Sequence, residues 1–91
     1  MLPLQNLASG VLADIIRRQP ASRERTTFAW TVAVGPALAR AAAVSLDDDT
    51  LRVTPRDARW AREIERARPA ILARMQALLG PDAVKDIHIN A

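Results

Sequence analysis

The stretch that decides the fold is residues 56–79, which read RDARWAREIERARPAILARMQALL. Its apolar residues recur at helical spacing and fall within roughly 80° of one another at about 100° per residue. The members of this stripe are Trp60, Ile64, Ala67, Ile71, Met75 and Leu78. Pro69 lies inside the pattern and is expected to kink the helix or to split it near residue 66. Because the phase of the stripe continues past the proline, a kinked helix is favoured.

The residues on either side of this helix predict three short strands. Residues 43–46 and 51–54 are expected to pair as an antiparallel hairpin, because the polar run 47–50 between them is typical of a turn. After the helix, Gly80-Pro81-Asp82 closes the segment, and residues 84–90 predict a final strand. The helix connects this strand to the hairpin, so it is expected to pair in parallel.

The N-terminal third of the chain predicts two helices. The first covers about residues 3–18, where Pro3 is acceptable in the first turn and an apolar stripe follows: Leu4, Leu7, Ala8, Val11, Leu12, Ile15 and Ile16. Ser22 is expected to cap a second helix, which carries Phe28, Trp30, Val32 and Val34 and is interrupted at Gly35-Pro36. The alanine-rich residues 36–42 favour helix, which we interpret as a bent continuation.

These elements predict an α+β fold, a small α-α-β-β-α-β domain with a three-stranded sheet and helices on one face. The chain has 91 residues, so we expect one domain over residues 1–91. It contains no cysteine, which excludes disulfides, thiolate nucleophiles and cysteine-ligated zinc. No apolar run is long enough for a membrane span, and the first residues do not resemble a signal peptide. We therefore expect a cytoplasmic protein with no membrane association.

The positive charge of the chain is concentrated in one region. The formal net charge is +3, and residues 52–74 alone contain seven arginines against Asp57, Glu63 and Glu65, a local net charge of +4. Arg59, Arg62 and Arg66 project within roughly 60° of each other on the helix side opposite the apolar stripe. Such a face attracts a phosphate backbone. The equally weighted alternative is a solvated helix face with the internal pairs Arg59–Glu63 and Arg62–Glu65.

Other residues favour structural interpretations over functional ones. Trp30 and Trp60 are candidates for base stacking, but both lie on apolar helix faces, so core packing is favoured. Residues 47–49 are all aspartates and are better explained as a hairpin turn than as a cation site. His88 has no partner for catalysis near it in the sequence. We therefore expect no enzymatic activity, no metal and no cofactor.

Four segments in order resemble the DciA family of bacterial proteins, over about residues 5–90. They are Trp30-Thr31-Val32-Ala33-Val34-Gly35-Pro36-Ala37-Leu38-Ala39, Leu51-Arg52-Val53, Trp60-Ala61-Arg62-Glu63-Ile64, and Leu79-Gly80 before Val84-Lys85-Asp86-Ile87. The resemblance implies a KH-like fold and a non-enzymatic accessory in DNA replication. Such an accessory binds the replicative helicase DnaB and helps to place it on DNA, single-stranded or forked. Longer members of the family carry a flexible tail that contributes to partner binding; this chain ends at Ala91, so we expect any helicase contact to come from the folded module.

Combining the charge pattern with this resemblance, we expect nucleic acid to bind through Arg52, Arg56, Arg59, Arg62 and Arg66. The chain lacks the Gly-x-x-Gly loop with which KH domains clamp a nucleic-acid backbone, so a KH-like shape alone does not imply KH-like binding. The alternative function is a protein-interaction domain with no nucleic-acid role, in which the arginines meet acidic groups on a partner.

Overall fold

The computed structural model describes the backbone of residues 4–90 and the side chains of residues 11–90. The helices are α1 (Leu4–Arg18), α2 (Arg23–Val34), α3 (Pro36–Ala41) and α4 (Ala58–Leu79); the strands are β1 (Ala42–Asp47), β2 (Thr50–Pro55) and β3 (Asp86–Ile89). The predicted α+β class with a three-stranded sheet is confirmed, and the order of elements is as predicted except that α3 is an additional short helix. Pro3 and the side chains of Leu4, Leu7 and Ala8, which the sequence assigned to the first helix, lie outside the described residues.

Side-chain caps fix where two of the helices begin. The hydroxyl of Ser22 accepts a hydrogen bond from the Arg25 amide at 3.0 Å, as its position before α2 predicted. A carboxylate oxygen of Asp57 accepts from the Trp60 amide at 2.9 Å. Because Asp57 serves as this cap, α4 begins at Ala58 and not at Arg56 as predicted.

Gly35 separates α2 from α3, so residues 36–41 form a helix of their own and not the predicted bent continuation. Its backbone has φ 86°, a conformation that glycine adopts at little cost. Its amide still donates to the carbonyl oxygen of Thr31 at 2.9 Å, which closes the last turn of α2. Pro36 then occupies the first turn of α3, where a missing amide hydrogen costs nothing.

The sheet has the order β1-β2-β3. Strands β1 and β2 pair antiparallel with Val44 opposite Val53, and β2 and β3 pair parallel with Leu51 opposite Ile87. Asp48 sits in the hairpin turn with φ 55°, a left-handed conformation that aspartate tolerates better than most residues. The predicted hairpin and the predicted parallel third strand are both confirmed.

One face of the sheet carries the core and the other is exposed. Leu51, Val53 and Ile87 are buried, whereas the alternate residues Arg52 and His88 are exposed. Helices α2 and α4 both pack against the covered face, and α1 packs against α4. The largest side chains enclosed between them include Trp30, Ile64 and Met75. The exposed face is called the open sheet face below.

Helix α4 runs without a break through Pro69. Of the two outcomes predicted at this proline, the split is therefore wrong. Pro69 is exposed, so the carbonyl group that loses its hydrogen-bond donor lies on the solvent side of the helix. Ile64 and Ile71, on either side of the proline, remain buried in the same core.

Candidate nucleic-acid interface

The outward side of the first half of α4 carries a group of exposed arginines. Arg59, Arg62 and Arg66 lie roughly opposite Ile64 around the helix axis, and Ile64 is fully buried. Burial of the apolar stripe therefore places all three guanidinium groups in solvent. Arg56 is also exposed and stands just before the Asp57 cap. The name basic face is used below for Arg56, Arg59, Arg62 and Arg66.

Three of these arginines make no ion pair with a carboxylate of residues 11–90: Arg56, Arg59 and Arg62. The internal pairs that offered the alternative explanation, Arg59–Glu63 and Arg62–Glu65, do not form in this part of the chain. Each of the two glutamates is instead paired with an arginine three residues further on. Three of the four arginines of the basic face are thus not neutralised by a carboxylate of their own helix.

Arg66 is held only loosely. Its guanidinium nitrogen lies 3.8 Å from a carboxylate oxygen of Glu63, and its side chain is 77% exposed. Ion pairs as exposed as this one contribute little to stability, because water screens the charges and two long side chains must be ordered. Arg66 can therefore leave Glu63 for a stronger anionic ligand.

Arg52 does not lie with the others. It projects from the open sheet face, since its neighbours Leu51 and Val53 are buried on the covered face. Its Nε donates to a carboxylate oxygen of Asp47 at 3.2 Å. The structure therefore separates Arg52 from α4 by the thickness of the sheet, and its predicted contact with nucleic acid stays a prediction.

Two further arginines of the same charged segment serve the fold. Arg68 donates from Nη2 to the carbonyl oxygen of Ile87 and to a carboxylate oxygen of Asp86, and its Nη1 lies 3.3 Å from Glu65. Arg74 donates to the carbonyl oxygen of Ala33, in the last turn of α2, at 3.1 Å. These two side chains join α4 to β3 and to α2, so the local charge of +4 overstates what the helix offers to a ligand.

One exposed arginine near the basic face was not predicted from the sequence. The amide of Arg56 donates to the carbonyl oxygen of Ala41 at 2.8 Å, which brings the last turn of α3 against the start of α4. Arg40 is exposed on that turn. The signal was present, because a hairpin with its turn at residues 47–50 places the residues that precede its first strand beside those that follow its second.

The two tryptophans have different environments. Trp30 is 1% exposed in the core, as predicted. Trp60 is only partly buried, in the first turn of α4, and lies outside the cluster of buried side chains. Its position differs from the prediction because Asp57 ends the irregular segment immediately before it, so the first turn of the helix lies at the margin of the core.

The acidic run is a hairpin turn with internal partners. The backbone carbonyl oxygen of Asp49 accepts from the Lys85 amide at 2.7 Å, and the Asp47 carboxylate accepts from Arg52. Among the described side chains, no group of three or more histidine, cysteine or acidic residues is placed to hold a metal ion.

His88 is exposed on the open sheet face. Within residues 4–90, no helix has both the length and the apolar character needed to cross a membrane.

The arrangement as a whole offers phosphate groups a row of planar cations. Guanidinium groups keep their charge at any physiological pH and donate paired hydrogen bonds to phosphate oxygens.

A family model described as Dna[CI] antecedent, DciA, matches residues 3–89, nearly the whole chain. No curated protein and no solved structure shows a significant match to the chain.

Proposed function

The chain belongs to the DciA family, which is associated with loading of the DnaB replicative helicase, and on that premise we propose that it assists helicase loading while binding DNA through its basic face. In this proposal the protein is a non-enzymatic module of the cytoplasm. It holds DNA with Arg56, Arg59, Arg62 and Arg66 and contacts the helicase through a different surface. The alternative is a protein-interaction domain that contacts the helicase without binding nucleic acid.

The observation that supports DNA binding is the exposure of Arg56, Arg59 and Arg62 without an acidic partner among residues 11–90. An arginine already paired with a carboxylate must break that pair before it can bind phosphate. These three have no such pair to break, so binding releases the counterions condensed on DNA at no cost in internal ion pairs. The basic face is therefore better explained as a site that binds a polyanion than as a surface that only keeps the protein soluble.

The proposed contacts are with the phosphate backbone and not with bases. Arginines that reach phosphates fix the position of a nucleic acid but read no sequence. Trp30 is buried, and the partly buried Trp60 lies on the apolar side of α4, so neither offers the basic face a surface for stacking with a base. We therefore expect binding to single-stranded and forked DNA with little dependence on sequence and a steep dependence on salt.

A titration of fluorescently labelled single-stranded and forked DNA at two salt concentrations tests this proposal. Arg59→Glu removes one phosphate contact and adds a repulsive charge, so we expect DNA affinity to fall about tenfold at the lower salt concentration. Arg23→Glu is the matched control, because Arg23 is also exposed, makes no ion pair among the described side chains and lies on α2. We expect the control to stay within about twofold of the parent protein.

The outcomes separate the parts of the proposal. If the parent protein shows no salt-sensitive DNA binding, its nucleic-acid role is wrong and the protein-interaction alternative is favoured. If Arg59→Glu and Arg23→Glu lose the same affinity, binding depends on net charge and not on the basic face. A pull-down from a bacterial lysate with the tagged protein tests the helicase contact. Recovery of DnaB after nuclease treatment indicates direct contact, whereas loss of DnaB indicates bridging by DNA.

A further inference from the structure

The outer edge of β1 presents backbone groups that face away from the sheet. In an antiparallel pair, residues whose backbone groups bond the partner strand alternate with residues whose groups point away from it. The amide of Arg56 donates to the carbonyl oxygen of Ala41, so these two residues occupy a bonded position at the end of the β1–β2 ladder. Every second residue from Ala41 therefore bonds β2, and the amide and carbonyl groups of Val44 and Leu46 point outward.

These outward groups have no partner within the described residues 4–90. Strand β1 pairs with β2 alone, and no other backbone or side-chain group of this part of the chain bonds the amide or carbonyl of Val44 or Leu46. Residues 42–46 also contain no charged residue and no proline, which edge strands commonly use to prevent the addition of another strand. The edge of β1 is therefore open to pairing.

The opposite edge of the sheet is closed by the protein itself. The amide of Asn90 donates to the carbonyl oxygen of Val53, so alternate residues of β3 face β2 and Ile87 faces outward. The Ile87 amide donates to a carboxylate oxygen of Asp86 at 2.8 Å, and its carbonyl oxygen accepts from Arg68. Of the two edges, only that of β1 offers unpaired groups at its centre in the described part of the chain.

A groove lies between the open edge of β1 and the start of α2. Ser45 and Leu46 both border it, although their side chains point to opposite faces of the sheet, so the groove follows the strand edge between them. The opposite wall includes Ser22 and Thr26, and the volume is about 440 Å³. A groove along an open strand edge admits an extended peptide, whose backbone then pairs with the strand.

A free cation borders the same groove. Arg23 and Arg25 are its charged residues, and none of the bordering residues is acidic. Arg25 already donates to the carbonyl oxygen of Gln19 at 3.3 Å, whereas the exposed Arg23 makes no ion pair with a carboxylate of residues 11–90. The backbone groups of β1 thus select an extended segment, and Arg23 favours one that carries an acidic residue.

The position of α2 disfavours a second copy of this chain as the occupant. A two-fold pairing of β1 with β1 would join the two sheets and bring the α2 helices of both copies to the same side of the joined sheet. Each α2 already borders the edge of its own β1 across the groove. A single extended segment meets no such obstacle.

We propose that the edge of β1 pairs with an extended segment of the helicase partner, whose backbone bonds Val44 and Leu46 and whose carboxylate lies near Arg23. This inference rests on the proposed function, because it gives the helicase contact a surface of its own. The groove borders the hairpin end of β1, whereas the basic face begins where β2 ends. DNA and helicase can therefore be held at the same time.

Hydrogen exchange of the full chain, with and without purified DnaB hexamer, tests the inference on the unmodified protein. Bound DnaB gives the Val44 and Leu46 amides an acceptor, so we expect their exchange rates to fall at least about tenfold. The amide of Asp82, in the exposed turn after α4, is the control and should change by less than about twofold. If the edge amides exchange equally fast with DnaB bound, the edge pairing is overturned while helicase association stands. If DnaB does not bind the parent protein, both fail.

Val44→Pro removes one outward amide, and proline is tolerated on an edge strand where the amide faces away from the ladder. We expect affinity for DnaB to fall about tenfold, because a carbonyl of the bound segment loses its donor. Val44→Ala keeps the amide and is the matched control, expected within about twofold. Circular dichroism on heating checks that both variants are folded. Equal losses in the two folded variants would assign the contact to the Val44 side chain and overturn the backbone pairing.

Arg23→Glu and Arg59→Glu serve as controls for each other when both ligands are titrated. Arg23→Glu should weaken DnaB binding about fivefold and leave DNA affinity within about twofold, and Arg59→Glu should do the reverse. Unchanged DnaB affinity in Arg23→Glu would overturn the acidic contact. Equal loss of both ligands in either variant would mean that DNA and helicase share one surface, which contradicts the assignment.

Sedimentation of the protein alone tests the other occupant. We expect no dimer that depends on the edge of β1. A concentration-dependent dimer that Val44→Pro dissociates would show that a second copy pairs with this edge, and it would overturn the assignment to the helicase.

Discussion

The two halves of α4 contain the same residue type in opposite roles. In the first half, Arg59 and Arg62 are exposed and make no ion pair with a described carboxylate. From the middle of the helix onward, Arg68 and Arg74 donate to backbone carbonyl oxygens of β3 and α2. What lies opposite a side chain decides whether its charge serves the fold or remains available to a ligand. The net charge of a segment therefore counts arginines that serve the fold and arginines available to a ligand alike.

Helix phase and the position of β3 explain the difference. Arg68 follows the buried Ile64 by four residues, so it lies about 40° from the core direction and reaches the edge of the sheet. There it finds the carbonyl oxygen of Ile87 and the carboxylate of Asp86. Arg59 and Arg62 point away from the sheet, and both are exposed to solvent.

The largest expected effect within this comparison is on stability. Arg68→Ala removes a charged hydrogen bond to a backbone carbonyl and two partly exposed ion pairs, and we expect the free energy of unfolding to fall by about 1–2 kcal/mol. The matched control Arg59→Ala is expected to change it by less than about 0.5 kcal/mol. Urea denaturation measures both. Equal stability of the two variants would mean that the two halves of α4 do not differ as described.

Arg74→Ala is expected to have a smaller effect of the same sign, about 0.5–1 kcal/mol in the free energy of unfolding. Its single hydrogen bond satisfies a carbonyl oxygen in the last turn of α2, where positive charge is also favourable. DNA affinity should stay within about twofold, because Arg74 is engaged in the fold. A tenfold loss of DNA affinity with unchanged stability would instead assign Arg74 to the binding surface.

The sequence predicted these elements well because their signals are local. Helical spacing, the Ser22 cap and the turn at residues 47–50 all act within a few residues, and the structure confirms each of them. The roles of Arg68 and Arg74 could not be predicted in the same way. Their partners lie 19 and 41 residues away along the chain. Only the packing of α4 against β3 and α2 brings them together.

The exposure of Phe28 was missed for a different reason. In α2 the large apolar residues alternate as Phe28, Trp30, Val32 and Val34, a period of two residues that no helix can bury on one side. Phe28 and Trp30 are about 200° apart around the axis, so burying Trp30 exposes Phe28. The sequence analysis named all four as apolar residues of one helix and gave no face to each, which hid this consequence. The mismatch between the period of the pattern and the helix was the available signal.

The smallest predicted effect is a change in DNA affinity caused by a substitution beside the basic face. Glu63 is the carboxylate that holds Arg66 at 3.8 Å, and both side chains are exposed. Glu63→Gln removes a negative charge beside the arginines and releases Arg66, so we expect DNA affinity to rise about twofold at low salt, with no measurable change in stability. Glu24→Gln is the matched control, because it makes the same charge change in the first turn of α2, away from the basic face. If the effect is local, DNA affinity rises only in Glu63→Gln. An equal rise in both variants would mean that DNA responds to the net charge of the chain. The distinction between the two halves of α4 would then hold for stability alone.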